Sequence, residues 1–180
     1  MKRFCFFIAL LCAFANITSC KKDSGGVAYV LLDTGTYAVS SGTISVKAHD
    51  TTVIYSAPTD NILVHLHNNA TRKSFDIMAK KNGKDANNYT QFSVFIVNAV
   101  PTFNTSFPLA TGANQISQYK LTNGVNDYHN IWSSINGNLV ISDYNQNGNL
   151  VSASFSAVVG SNTLSSFPVS GSVDLKLNTK

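Results

Sequence analysis

The sequence predicts an all-β fold: a single antiparallel β-sandwich or barrel-like domain behind an apolar leader. Three observations carry this. Apolar residues alternate with polar ones at a period of two through most of the chain after residue 26, the pattern of half-buried strands. Residue choice agrees: all nine acidic residues are Asp, so Glu, a good helix former, is absent, while Val, Ile, Thr, Tyr and Phe are abundant. Gly, Asn and Pro punctuate the runs. A chain of 180 residues suits one such domain.

Taken in order, Met1–Lys2–Arg3 is a short basic start and Phe4 to Ala15 an apolar run. A membrane-spanning helix needs roughly 20 apolar residues, so this run is too short to span and fits the core of a secretory leader. Strands are expected near 27–32, 36–40, 43–48, 52–56, 61–68, 72–80, 90–98, 115–121, 138–143, 150–158 and 171–177, about ten in all once false runs are allowed for. In "NILVHLHN", Ile62, Val64 and Leu66 face one way and Leu63, His65 and His67 the other. "QFSVFIV" is apolar on both faces, through Phe92, Val94 and Ile96 and through Phe95 and Val97, and reads as a central strand. "LVSASFSAV" buries Val151, Ala153, Phe155 and Ala157 against outward serines, and "SVDLKL" buries Val173, Leu175 and Leu177. "HNNATRK" and "KKNGKDANN" are polar connections, and "INGN" (Ile135 to Asn138) and "YNQNGN" (Tyr144 to Asn149) read as tight hairpin turns. Pro58, Pro101, Pro108 and Pro168 fall at run boundaries.

Composition narrows function. Charged residues make up 12% of the chain, about half the usual share. The formal charge of +4 includes Lys2 and Arg3, and no Lys/Arg stripe forms, which argues against a nucleic-acid partner. Ile17-Thr18-Ser19-Cys20 follows the leader and resembles the bacterial lipobox, an aliphatic residue and two small ones before a cysteine. The resemblance implies a lipoprotein signal peptide over 1–19, lipidation of Cys20 and a lipid-anchored chain, with 20–26 a flexible tether and 27–180 the β domain. Several acyl chains anchor stably where a single chain does not. Cys5 and Cys12 would leave with the leader, so the mature chain would hold neither a free thiol nor a disulfide.

"CKKDSGG" resembles the export signals of Bacteroidota surface lipoproteins through Lys22 and Asp23, with fewer acidic residues than usual. "GNLVISDYNQNGNLVSASFSA", followed by "FPVSGSVDLKL", resembles the C-terminal strands of a group of uncharacterised Bacteroidota outer-membrane lipoproteins. It departs from them at Ala153 and Ala157, where Gly and Phe are usual. The resemblance implies an outer-membrane location, with the surface leaflet preferred over the periplasmic one, and offers no activity to carry over.

Candidate chemistry is sparse. "DYNQNGNLVSAS" starts like a calcium loop at Asp143, Asn145, Asn147 and Gly148, but its twelfth residue is Ser154 where Glu is required. His65 and His67 share a strand face about 6.6 Å apart and lack an evident third ligand, so no metal or other cofactor is expected. "NDYHNIW" gathers Tyr128 and Trp132, which as exposed aromatics would face a ligand such as a sugar ring, and otherwise would fill a core. Asp50-Thr51-Thr52 resembles an O-glycan acceptor motif of Bacteroidota envelope proteins, with Thr51 the acceptor; a turn accounts for it equally. No Gly-x-Ser-x-Gly elbow, His-Glu metalloprotease motif or phosphate loop occurs, so the expected role is non-catalytic. The partners expected are the membrane, through Cys20, and a glycan or an envelope protein. A structural surface or assembly component is the alternative, and a hydrolase with a cryptic site a third.

Overall fold

The computed structural model describes residues 34–82, 85–145, 149–161 and 165–178. The leader, the lipobox with Cys20, the tether and the run at 27–32 lie outside them. Strands follow in the order β1 (Gly35–Ala48), β2 (Thr51–Ala57), β3 (Asn61–Asn68), β4 (Lys73–Lys81), β5 (Tyr89–Val97), β6 (Thr105–Ala110), β7 (Gln115–Thr122), β8 (Val125–Asn126), β9 (Trp132–Asn145), β10 (Leu150–Gly160) and β11 (Phe167–Leu177). Among the described residues the one helical segment is a 3-10 turn at Tyr128–Asn130.

All pairings are antiparallel, and β1–β3–β4–β5–β7–β9–β10–β11 return to β1 as an eight-stranded barrel. Of the two architectures the sequence allows, the barrel is the one adopted. Its interior is filled, as expected at this strand number. Phe92 packs on Tyr55, Trp132 and Phe155, and Trp132 packs on Phe167, forming an aromatic chain through the upper core. Phe75 meets Tyr144 edge-on in the lower core. The upper end carries the β1–β2 turn, and the lower end is where Thr34 leads into β1.

Two bends shape the barrel. The expected strands at 36–40 and 43–48 are one strand, β1, broken in phase. Tyr37 and Val39 point inward, then Ile44 and Val46, so the buried parity switches across an irregularity between Val39 and Ser41. An extra residue flips the inward face, which is why the sequence reads as two runs. Gly42, at φ 116, completes the bend; a Cβ there would strike the Asp174 carbonyl. The opposite edge of β1 pairs with β2 above and β3 below.

β9 bends likewise. "INGN" is no hairpin turn: Gly137 lies within β9, at φ 135, where its backbone crowds Ser156 and Ala157. β9 therefore begins at Trp132, six residues before the run expected at 138–143. In "YNQNGN", Asn145 pairs with Leu150, and residues 146–148 of the expected turn lie outside the described residues. β6 was not expected from the sequence because Pro108 interrupts it; it pairs with β9 alone, as an edge strand can. "QFSVFIV" is one-faced: Phe92, Val94 and Ile96 are fully buried, and Phe95 is 36% exposed on the outer wall.

Closure rests on a short seam. β7 meets β9 only at Ser117↔Ser133 and Gln118↔Trp132. One further bond, the Ile116 amide donating to the buried Ser134 hydroxyl at 3.1 Å, reinforces it.

Candidate functional site

Among the described residues, three of the barrel's concavities bear on a functional site. The first is a cleft of about 140 Å³ at the upper mouth, lined by Val46, Ala48, His49, Thr51, Val53, Gln118, Asn130, Trp132 and Phe167. His49 sits in the β1–β2 turn at φ 52, with its ring stacked on Phe167 at 4.3 Å. Gln118 is buried and donates from Nε2 to the Asn130 carbonyl at 3.1 Å. The Asn130 side chain in turn donates to Asp127, which pairs with Lys120 at 3.1 Å. Sites for whole small molecules usually reach about 300–1,000 Å³, so this cleft holds a side chain or one substituent.

The second concavity, of about 330 Å³, runs outside the seam along Ser117, Gln118, Tyr119, Ile131, Trp132, Ser133, Gly160 and Ser161. The third, about 350 Å³, lies in the elbow between β2 and β3, along Ala38, Val39 and Pro58 to Leu63. The elbow's carboxylate, Asp60, already accepts the Ser56 amide at 2.8 Å, which leaves that groove the less available to a ligand.

The structure divides the expected aromatic pair. Tyr128 is 57% exposed on the upper rim, whereas Trp132 is 3% exposed between Phe92 and Phe167. Trp132 is thus a core residue with an edge toward the clefts, the core-filling alternative of the sequence reading, and of the two rings only Tyr128 is exposed. Trp132 stands on the inward parity of β9, and burying so large a ring stabilises the closure. Thr51 is exposed at the first position of β2, directly beside the mouth cleft.

His65 and His67 do share the outer face of β3. His65 Nδ1 lies 2.8 Å from the Thr36 hydroxyl, and Asp76 stands opposite His65 in register. Among the described residues no three His, Cys, Asp or Glu side chains converge as a metal site. Asp76 was not singled out in the sequence, and periodicity gives no reason to do so. Its Oδ1 is buried with no hydrogen-bond partner, as is the hydroxyl of Ser74 on the same strand. Burial raises the Asp76 pKa above the usual carboxylate value, against a smaller lowering by His65, Arg72 and His67. Of the calcium-like loop, Asp143 lies within β9 opposite Ser152, and Asn147 and Gly148 fall outside the described residues.

No protein-family profile, curated protein or solved structure matches the chain.

Proposed function

We propose that this chain is a lipid-anchored envelope protein whose β-barrel is a non-catalytic binding module, acting through its outer wall and upper rim on a glycan or an envelope protein. The filled interior carries this reading. Phe92, Tyr55, Ile44, Leu139 and Val151 are inaccessible to solvent, so no ligand can occupy the lumen and recognition falls to the exterior. The lipobox-like Ile17-Thr18-Ser19-Cys20, with the resemblance to Bacteroidota outer-membrane lipoproteins, supports the anchor. Anchoring through Cys20 would direct the lower end, where β1 begins, toward the membrane. The rim with Tyr128 and Thr51 would then face outward, the geometry expected of a displayed binding module.

The test joins anchor and display. In cells fed a clickable fatty acid, the wild-type chain should incorporate the label and fractionate with outer membrane. Cys20→Ala should lose both, with an unprocessed leader. A photo-crosslinker replacing Tyr128 should give a discrete adduct with an envelope component, and one replacing Phe92 none. Labelling of Cys20→Ala at wild-type level would refute the anchor; adducts from Phe92 alone would refute recognition by the exterior.

A further inference from the structure

The groove outside the β7–β9 seam has a chemistry that selects among ligands. Ser117 and Ser133 face each other across the seam on the outer wall. In register beyond Ser117 comes Ser93 on β5, whose hydroxyl accepts from Gln91 Nε2 at 3.3 Å. Tyr119 stands opposite Gln91 and lines the same groove. Its ring is held in place: the hydroxyl donates to the Asn126 side chain, and Tyr89 flanks it with ring centroids 5.9 Å apart. Among the described residues, no ionisable side chain other than Tyr119 lines the groove. Its volume, about 330 Å³, falls within the range of sites that hold a small molecule.

We infer that this seam groove is a binding site for a neutral saccharide, with the Tyr119 ring as stacking platform and the Ser117 and Ser133 hydroxyls as polar partners. Three arguments select that class. A sugar ring offers an apolar C–H face to an aromatic side chain and hydroxyls, each both donor and acceptor, to neighbours of the same kind. An anionic ligand would need a cation, and a cationic one a carboxylate, and neither lines the groove. A ring already fixed by Asn126 and Tyr89 is not further ordered on binding, which lowers the entropic cost of recognition. The inference rests on the binding-module reading and assigns it a site and a ligand class.

Affinity electrophoresis of the full chain in mild detergent tests it. The gels contain mannan, xylan, mixed-linkage glucan or pullulan, with the anionic polygalacturonate for comparison. At least one neutral polymer should retard the wild type more than polygalacturonate does. Tyr119→Ala should weaken that retention about tenfold or more. Ser117→Val, a substitution suited to a strand, should weaken it while the thermal melt stays that of the wild type, and Ile54→Ala, exposed on β2 away from the groove and the rim, should leave it unchanged. Retention that survives both Tyr119→Ala and Ser117→Val overturns the groove as the site and leaves the binding module standing. Retention lost in Tyr128→Ala instead moves recognition to the rim. Absence of retardation on every neutral polymer, or stronger retardation on polygalacturonate, overturns the ligand class, whereas failure of the binding-module reading would show separately, in the Tyr128 crosslinking.

Discussion

Among individual residues, Asp76 is where burial and hydrogen bonding disagree. A half-buried carboxylate with a partnerless Oδ1 opposes its own ionisation, and its pKa rises accordingly. The sign follows from linkage. The folded chain holds this proton more tightly than the unfolded chain does, so Asp76 supports the fold at acid pH. That support is lost as pH rises from the ordinary Asp value through the raised one. Asp76→Asn is therefore expected to melt no lower than wild type at neutral pH and to flatten the fall in stability over that window, in urea titrations run from acid to neutral pH. A clear loss of stability at neutral pH would show that the carboxylate has a partner on which the fold depends. Phe155 gives the contrary case. It stacks on Phe92 at 5.4 Å within the core, and Phe155→Ala should cost about 3–5 kcal/mol in the same titrations. A cost under about 1 kcal/mol would place it on the outer face. The inward position of Phe155 was legible because Val151, Ala153 and Ala157 keep strict alternation with it. The site residues were less so: Trp132 and Tyr128 are four apart in one segment, and only the fold sends one ring inward and leaves the other in solvent.

The bends decide what was legible among the elements. Strands with unbroken parity, such as β3, β10 and β11, follow the expected inward faces residue by residue. Where a strand changes parity the pattern misleads, because a single inserted residue imitates a chain break. β1 read as two strands, and the Asn-Gly pair inside β9 read as a turn. Gly137 has a strand role that alternation cannot express: it passes close beside β10 at a φ that L residues rarely adopt. Gly137→Ala is expected to destabilise the barrel by about 2 kcal/mol or more, read by chemical denaturation. A neutral result would mean that β9 can straighten there. The strand edges carry their own protection. Pro108 has no N–H, and its carbonyl accepts from Asn114 Nδ2 at 3.1 Å; on β2 the Ile54 carbonyl accepts from Lys81 Nζ at 2.8 Å. Proline and lysine at such positions block the addition of a further strand.

Across the whole molecule, the sequence predicts an all-β domain and leaves sandwich and barrel open. Alternation specifies which faces are buried, whereas closure depends on which distant strands meet. Here the decisive contact, between β7 and β9, spans two residue pairs. Two structural features hang on that seam, a sealed lumen and a groove lined by residues that make the closure, and the proposed recognition from outside rests on both. The chain's single tryptophan sits in the seam, which makes one measurement direct. Trp132 fluorescence in the folded full chain, with acrylamide as quencher, should show blue-shifted emission that is quenched far less than in urea, as for an indole 3% exposed between Phe92 and Phe167. Water-like emission, quenched as readily as in the unfolded chain, would mean that the seam stands open and that the closed, filled barrel is wrong.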